Sequence, residues 1–141
     1  MPSDDIFARI EAAWHDFQDA VAGIPDERML EPGAVGAWSV KDTLAHIAYW
    51  HESMVDRALR MAQGDDLPEP DLETINRVEA QERAGWSLEH ARAEAQRTHE
   101  LAVATARAMP DIDLELLEGD TWGHYAAHAA DIRAWRAAQG I

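Results

Sequence analysis

Two histidines four residues apart, His124 and His128, give the sequence its clearest chemical signal. In a helix this spacing places both side chains on one face, one turn apart, so that two imidazoles can bind one cation without bending the backbone. Neutral imidazole favours zinc, nickel, copper or iron over calcium or magnesium. The pair alone is weak evidence, because histidines at this spacing also occur as surface or capping residues.

A third imidazole comes from His46, which lies at the flank of an apolar helical stripe, near Thr43 and Trp50. Once packed there it must find a partner, because an unpaired buried polar group is costly. A metal would satisfy it, and so would a carboxylate or a backbone carbonyl. We predict that His46, His124 and His128 form an open divalent-metal site, in which one coordination position is left to water or substrate.

Other residues are candidates for supporting roles around this site. His51 lies near the centre of the same apolar stripe, and His99 lies on the inner side of another helix, so each is either a core imidazole or a neighbour of the metal. Asp131 either orients His128 as a hydrogen-bonded carboxylate or forms a surface ion pair. The candidate pocket aromatics, for which ordinary core or rim packing is the alternative, are Tyr49, Trp50, Trp122 and Tyr125.

Helices must position these side chains. Apolar residues recur at helical spacing, and capping or breaking residues bound five segments, at about 3–23, 39–64, 71–84, 87–110 and 120–139. Ser39 followed three residues later by Asp42 has the form of a capping box. No run of alternating β-branched residues predicts a strand. We expect an all-α fold, an up-down four-helix bundle forming one domain over residues 1–141, with the short extra helix at 71–84 between the second and third long helices.

The net charge of the chain limits the classes of molecule that we expect it to bind. Lys and Arg total 12 and Asp and Glu total 27, which gives a formal net charge of −15. Such a field repels nucleic acid and anionic membrane surfaces, so we expect neither as a partner. It favours cations and neutral small molecules, unless the acidity serves only to keep the protein soluble.

The absence of cysteine also limits the chemistry. A chain without cysteine has no disulfide, no thiolate nucleophile and no cysteine-type zinc site. The acidic N-terminus lacks the basic stretch and apolar run of a secretory signal, and no apolar run approaches the length of a membrane span. We expect a cytoplasmic protein. A homodimer is expected on the general frequency of two-fold assemblies.

Three stretches of the sequence have a familiar pattern. They are GIPDERMLEPGAVG at 23–36, WSVKDTLAHIAYW at 38–50 and HYAAHAADIRAW at 124–135, and Asn76 adds a further match in the short middle helix. Together they resemble the DinB superfamily of four-helix bundles, and especially its ClbS/DfsB-like branch. The resemblance covers most of the chain and is specific for the fold.

The resemblance also implies functions. In the superfamily the metal is typically held by one histidine of the second helix and two residues four apart on the last, which match His46, His124 and His128. Relatives with this triad imply a zinc or nickel enzyme acting on a small molecule, either a hydrolase or a transferase with a small thiol as cosubstrate. ClbS/DfsB-like members imply a non-catalytic alternative, a protein that binds a toxic small molecule, with structural histidines. The segment 110–121 is shorter than in many relatives. Neither the enzyme nor the non-catalytic binder that the resemblance implies identifies a catalytic residue in this sequence.

Overall fold

The computed structural model describes residues 2–141 and is built from helices. These are α1 (Asp4–Val21), α2 (Val40–Ala62), α3 (Leu72–Arg83), α4 (Leu88–Ala108), α5 (Leu114–Asp120) and α6 (Trp122–Gln139), with a 3-10 helix at Arg28–Leu30. Within residues 2–141 the only β pairing is an isolated bridge between Val35 and Trp38. The prediction of an all-α fold is confirmed. No helix of the described chain is both long and apolar enough to cross a bilayer.

Local sequence signals set where the helices begin. The predicted capping box is present at α2: the backbone N–H of Asp42 donates to Ser39 Oγ at 3.0 Å, and the N–H of Ser39 donates to Asp42 Oδ2 at 3.0 Å. Ser3 and Ser87 cap α1 and α4 through their side-chain oxygens. These contacts satisfy amides that a helix start leaves free. They fix the start of α2 at Val40, six residues before His46.

The four long helices form two parallel pairs. In the first pair Asp16 of α1 binds Arg133 of α6, and Arg9 nearer the start of α1 lies over the ring of Trp122. In the second pair Lys41 at the start of α2 donates to the carbonyl of Trp86 just before α4. His51, further along α2, contacts Thr98, further along α4, so the two helices run in the same direction. The two pairs run antiparallel to each other, since His46 of α2 meets His128 of α6 while His51, later in α2, meets Tyr125, earlier in α6.

The expected up-down order therefore holds for α1 with α2 and for α4 with α6, but α2 and α4 run parallel. The short helix α3 is the reason. Asn76 near its start contacts Trp50 of α2, and Arg83 at its end contacts the Ala45 carbonyl, so α3 carries the chain back along α2. The core lies between the four long helices, and its fully buried members include Ile10, Phe17, Ile47, Met54, Tyr125 and Ile132.

Helix α5 was not predicted from the sequence. The segment 110–121 was expected to be a loop, and the last helix was expected to begin near Asp120. Instead Asp113 caps a seven-residue helix that buries Leu116 and Leu117, and α6 begins at Trp122. Thr121 separates the two helices, because its backbone angles, φ −126° and ψ −104°, are not helical. Helix α5 packs against α6 and α2 and so closes one end of the bundle.

Helix α3 is held to α2 by polar contacts, since none of its residues is buried. The indole N–H of Trp50 donates to Asn76 Oδ1 at 2.8 Å. The guanidinium of Arg83 donates to the Ala45 carbonyl at 3.2 Å and lies 4.6 Å from the centre of the Trp86 ring. A helix that buries none of its apolar side chains depends on such contacts for its position.

We expect Arg83→Ala to loosen α3 selectively. Loss of the carbonyl bond and the cation–π contact should raise amide hydrogen exchange over Leu72–Arg83 by about tenfold, while α4 keeps its protection. The matched control is Arg97→Ala, which removes an exposed arginine bonded to Glu94 within α4. Equal exchange in α3 of the two variants would contradict an anchoring role for Arg83.

Candidate metal centre

His46, His124 and His128 converge where α2 crosses α6. One ring nitrogen of each lies within 4.8 Å of those of the other two. The Nε2 atoms of His46 and His124 are 2.9 Å apart, and the ring centres of His124 and His128 are separated by 4.5 Å. The four-residue spacing on α6 places two rings on one face, and the antiparallel course of α2 brings the third to them. The structure therefore brings together the three histidines singled out in the sequence.

Several nitrogen atoms of this cluster lack any partner. Three buried atoms make no hydrogen bond to any of the described residues. They are both ring nitrogens of His128 and the Nδ1 atom of His124. Asp131 does not supply the bond that was considered for it, because its carboxylate oxygen lies 3.8 Å from His128 Nδ1, beyond hydrogen-bonding distance. Unsatisfied buried nitrogens are unfavourable. Three converging imidazoles, two of them with unpaired ring nitrogens, fit a zinc- or nickel-type ion.

The protonation state of the cluster also suits a metal. Burial lowers the pKa of His46 to about 3, with a smaller contribution from the neighbouring His128. Burial lowers the pKa of His124 well below its usual value, and that of His128 as well, where the nearby Asp131 carboxylate offsets part of the effect. All three imidazoles are therefore neutral near pH 7, which is the form that binds metal.

His51 and His99 lie away from this centre, in a buried hydrogen-bonded chain. His51 contacts Thr98 Oγ1 through Nδ1 at 2.8 Å and the Tyr125 hydroxyl through Nε2. His99 contacts the same hydroxyl through Nδ1 at 2.8 Å and Glu11 through Nε2 at 3.1 Å. Both nitrogens of each ring are thus occupied, and neither histidine is a fourth ligand.

One set of proton positions satisfies this chain with both imidazoles neutral. In this set the single Thr98 hydroxyl proton is donated to His51 Nδ1 rather than to the Glu94 carbonyl, which also lies 2.8 Å away, and His51 Nε2–H donates to the Tyr125 oxygen. The Tyr125 hydroxyl then donates to His99 Nδ1, which leaves His99 Nε2–H to donate to the Glu11 carboxylate. Burial lowers the pKa of His51 to about 3, in agreement with a neutral ring.

A cavity of about 800 Å³ opens beside the three histidines. Its walls come from α2, α3, α5, α6 and the segment between α2 and α3. Trp50 and Asn76 line it, while Trp38 packs against His46 from outside, with ring centres 4.4 Å apart. The volume is that of a small-molecule site.

The aromatic residues considered for a pocket have separate places. Trp50 lines the cavity, but Tyr49 and Tyr125 do not. Tyr49 lies 5.5 Å from the Arg83 guanidinium on the outer side of α2, and Tyr125 is fully buried in the core. Trp122 is covered by Arg9 of α1. Tyr125 directly follows His124 in sequence, so it points to another face of α6 than the metal-binding histidines.

Two charged cavity residues, Arg57 and Asp120, were missed in the sequence. Asp120 is only 9% exposed, and burial raises its pKa to about 7, with the Arg57 guanidinium opposing the shift. Arg57 Nη1 lies 3.9 Å from Asp120 Oδ2. An aspartate placed just before Thr121 and Trp122 has the pattern of a helix cap, so local signals gave no indication of burial in a cavity.

Comparison with known proteins agrees with this architecture. The sequence profile of the DinB superfamily matches residues 9–130, a range that contains all three histidines. The crystal structure of an uncharacterised protein from Escherichia coli UTI89 is similar, with a TM-score of 0.79 and 18% sequence identity, over 96% of this chain and 92% of that chain. No curated protein sequence matches significantly. At 18% identity the structural likeness supports the fold alone.

Proposed function

The chain belongs to the DinB superfamily, and on that premise we propose that it is a metal-dependent enzyme acting on a small molecule. His46, His124 and His128 would hold a divalent ion, zinc or nickel. The observation that carries the proposal is the convergence of three partly buried imidazoles, one of which, His128, has no hydrogen-bond partner among the described residues.

The surrounding residues support an open rather than a closed site. His51 and His99 are committed to the Tyr125 hydroxyl and supply no fourth ligand. When bound, a three-histidine metal lowers the pKa of a bound water or small thiol toward neutrality and so supplies a nucleophile. The chain has no cysteine, so this nucleophile comes from water or from a thiol cosubstrate. The reaction we propose is hydrolysis or thiol transfer.

The cavity supports an enzyme over a protein that only stores metal. The three histidines lie in its wall, so a small molecule of moderate size can reach them. Trp50 and Asn76, hydrogen-bonded to each other, form a fixed part of the same wall. A non-catalytic ClbS/DfsB-like protective binder, in which the histidines are structural, is the alternative that small-molecule binding without metal binding would indicate.

The test is metal content followed by activity. We expect the purified protein to bind about one zinc or nickel ion per chain, and His46→Ala, His124→Ala and His128→Ala each to lose this binding while keeping helical circular dichroism. His90→Ala is the matched control, because His90 is exposed on α4 and should leave metal binding unchanged. Hydrolysis and thiol-transfer screens then use the loaded protein. A wild type that binds neither ion tightly would refute the proposal.

A further inference from the structure

The buried carboxylate of Asp120 has no adequate partner. It is the last residue of α5, it lines the same cavity as the histidines, and it is 9% exposed. Neither of its oxygens makes a hydrogen bond to any residue of the described chain, and the nearest cation, Arg57 Nη1, is 3.9 Å away. That distance gives Coulomb attraction without a hydrogen bond. The Asp120 oxygens are not fully enclosed and border the cavity, so they can accept hydrogen bonds from a molecule bound there.

Most of the other charged residues in the cavity wall are also acidic. Arg57 is its one basic residue, and the exposed carboxylates that line it are Asp65, Asp66, Glu69, Asp113 and Glu115. A cleft lined by one sign of charge concentrates ions of the opposite sign. The cavity therefore attracts cations and repels anionic molecules such as phosphates and carboxylates.

These acids do not gather around a single point. In the described chain, the histidine triad is the one group of histidine, aspartate and glutamate residues whose ligand atoms are close enough together for one metal ion. The acidic wall is thus unsuited to a second metal ion. Trp50, Leu72 and Leu116 add apolar surface to the same wall, which suits the carbon skeleton of an organic cation.

Building on the proposed function, we propose that the cavity takes a small substrate carrying a protonated amine, and that Asp120 is the carboxylate that binds the amine. An ammonium group donates up to three hydrogen bonds, so it satisfies the carboxylate oxygens that Arg57 leaves free. The exposed acids attract the cation to the cavity, and the buried one selects it.

The test compares three probes of similar shape and different charge: benzylamine, benzyl alcohol and benzoate. By calorimetry and by ligand-observed NMR, we expect saturable millimolar binding of benzylamine, about tenfold weaker binding of benzyl alcohol, and weaker binding still of benzoate. Asp120→Asn should lower benzylamine affinity about tenfold and leave benzyl alcohol affinity within about twofold. Asp66→Asn, which neutralises an exposed acid of the same wall, should change either affinity less than about twofold.

Several results would overturn the proposal. They are a failure of benzylamine to saturate, equal affinity for amine and alcohol, tighter binding of benzoate through Arg57, or equal effects of Asp120→Asn and Asp66→Asn. The measurements are made on both metal-free and zinc-loaded protein. An amine preference that persists without metal, in a chain that binds neither zinc nor nickel, would refute the proposed function alone. Intact zinc binding without an amine preference would refute the assignment of Asp120 alone.

Discussion

Replacing His128 with leucine is expected to abolish tight metal binding while leaving the metal-free protein as stable as the wild type, or more stable. His128 has 13% of its side chain exposed, but both of its ring nitrogens are buried, and neither has a hydrogen-bond partner in the described chain. Leucine removes two unsatisfied polar atoms and keeps apolar volume, so the free energy of unfolding should stay equal or rise by about 1–3 kcal/mol. Metal affinity should fall by at least about 100-fold.

The measurement is urea unfolding of the metal-free protein, with zinc titration of the folded protein. The matched control is His51→Leu, because both nitrogens of His51 are bonded, to Thr98 and to Tyr125. That variant should lose about 1–3 kcal/mol, since it removes one hydrogen bond from each of two buried hydroxyls that keep their other partners, and should keep metal binding. If His128→Leu were destabilised as much as His51→Leu, the histidine would have a structural role and the metal centre would lose its main support.

The contrast between these two histidines shows where the sequence was informative. His46, His124 and His128 were predicted to meet because two share a helix face and the third flanks the apolar stripe of another helix. His51 and His99 stayed ambiguous, since a helical pattern shows that a residue points inward but does not show its partner. Their partner is the Tyr125 hydroxyl, which only the packing of α6 against α2 and α4 brings between them.

The parts of the fold that were predicted correctly depend on short-range contacts. The capping box at Ser39 and Asp42 acts within three residues, so the sequence alone indicates it. The short helix α5 is stabilised by burial of Leu116 and Leu117 against other helices. Its seven residues are too few to show a helical period in the sequence. The cavity and its buried Asp120 depend on α5, so they were missed with it.

Loss of stability in mild acid is the second large effect that we expect for the metal-free protein. Burial lowers the pKa of both His46 and His51 to about 3, against an ordinary value of 6.5. Between these values the unfolded chain binds protons that the folded chain excludes, so the free energy of unfolding falls as the pH falls. Each such histidine contributes a slope of about 1 kcal/mol per pH unit.

Asp120 acts in the opposite direction. Burial raises its pKa to about 7, so the folded chain holds a proton that an unfolded aspartic acid releases, and this stabilises the fold as the pH falls toward 4. One carboxyl offsets one histidine. The pKa values of His99, His124 and His128 are also lowered, so the histidines dominate. The net loss between pH 7 and pH 4.5 should be roughly 3 kcal/mol or more, a large part of the stability of a small domain.

Urea unfolding at intervals from pH 7 to pH 4.5 measures this slope, and His51→Gln isolates one contributor. Glutamine does not titrate in this range, so the slope should decrease by about 1 kcal/mol per pH unit whatever the stability of the variant at pH 7. His15→Gln is the control, because His15 is exposed on α1 and should leave the slope as it is. An unchanged slope in His51→Gln would mean that the His51 imidazole is already positively charged, with a proton on both ring nitrogens, in the folded protein. The neutral hydrogen-bonded chain through Tyr125 would then be wrong, because it requires His51 to accept the Thr98 proton.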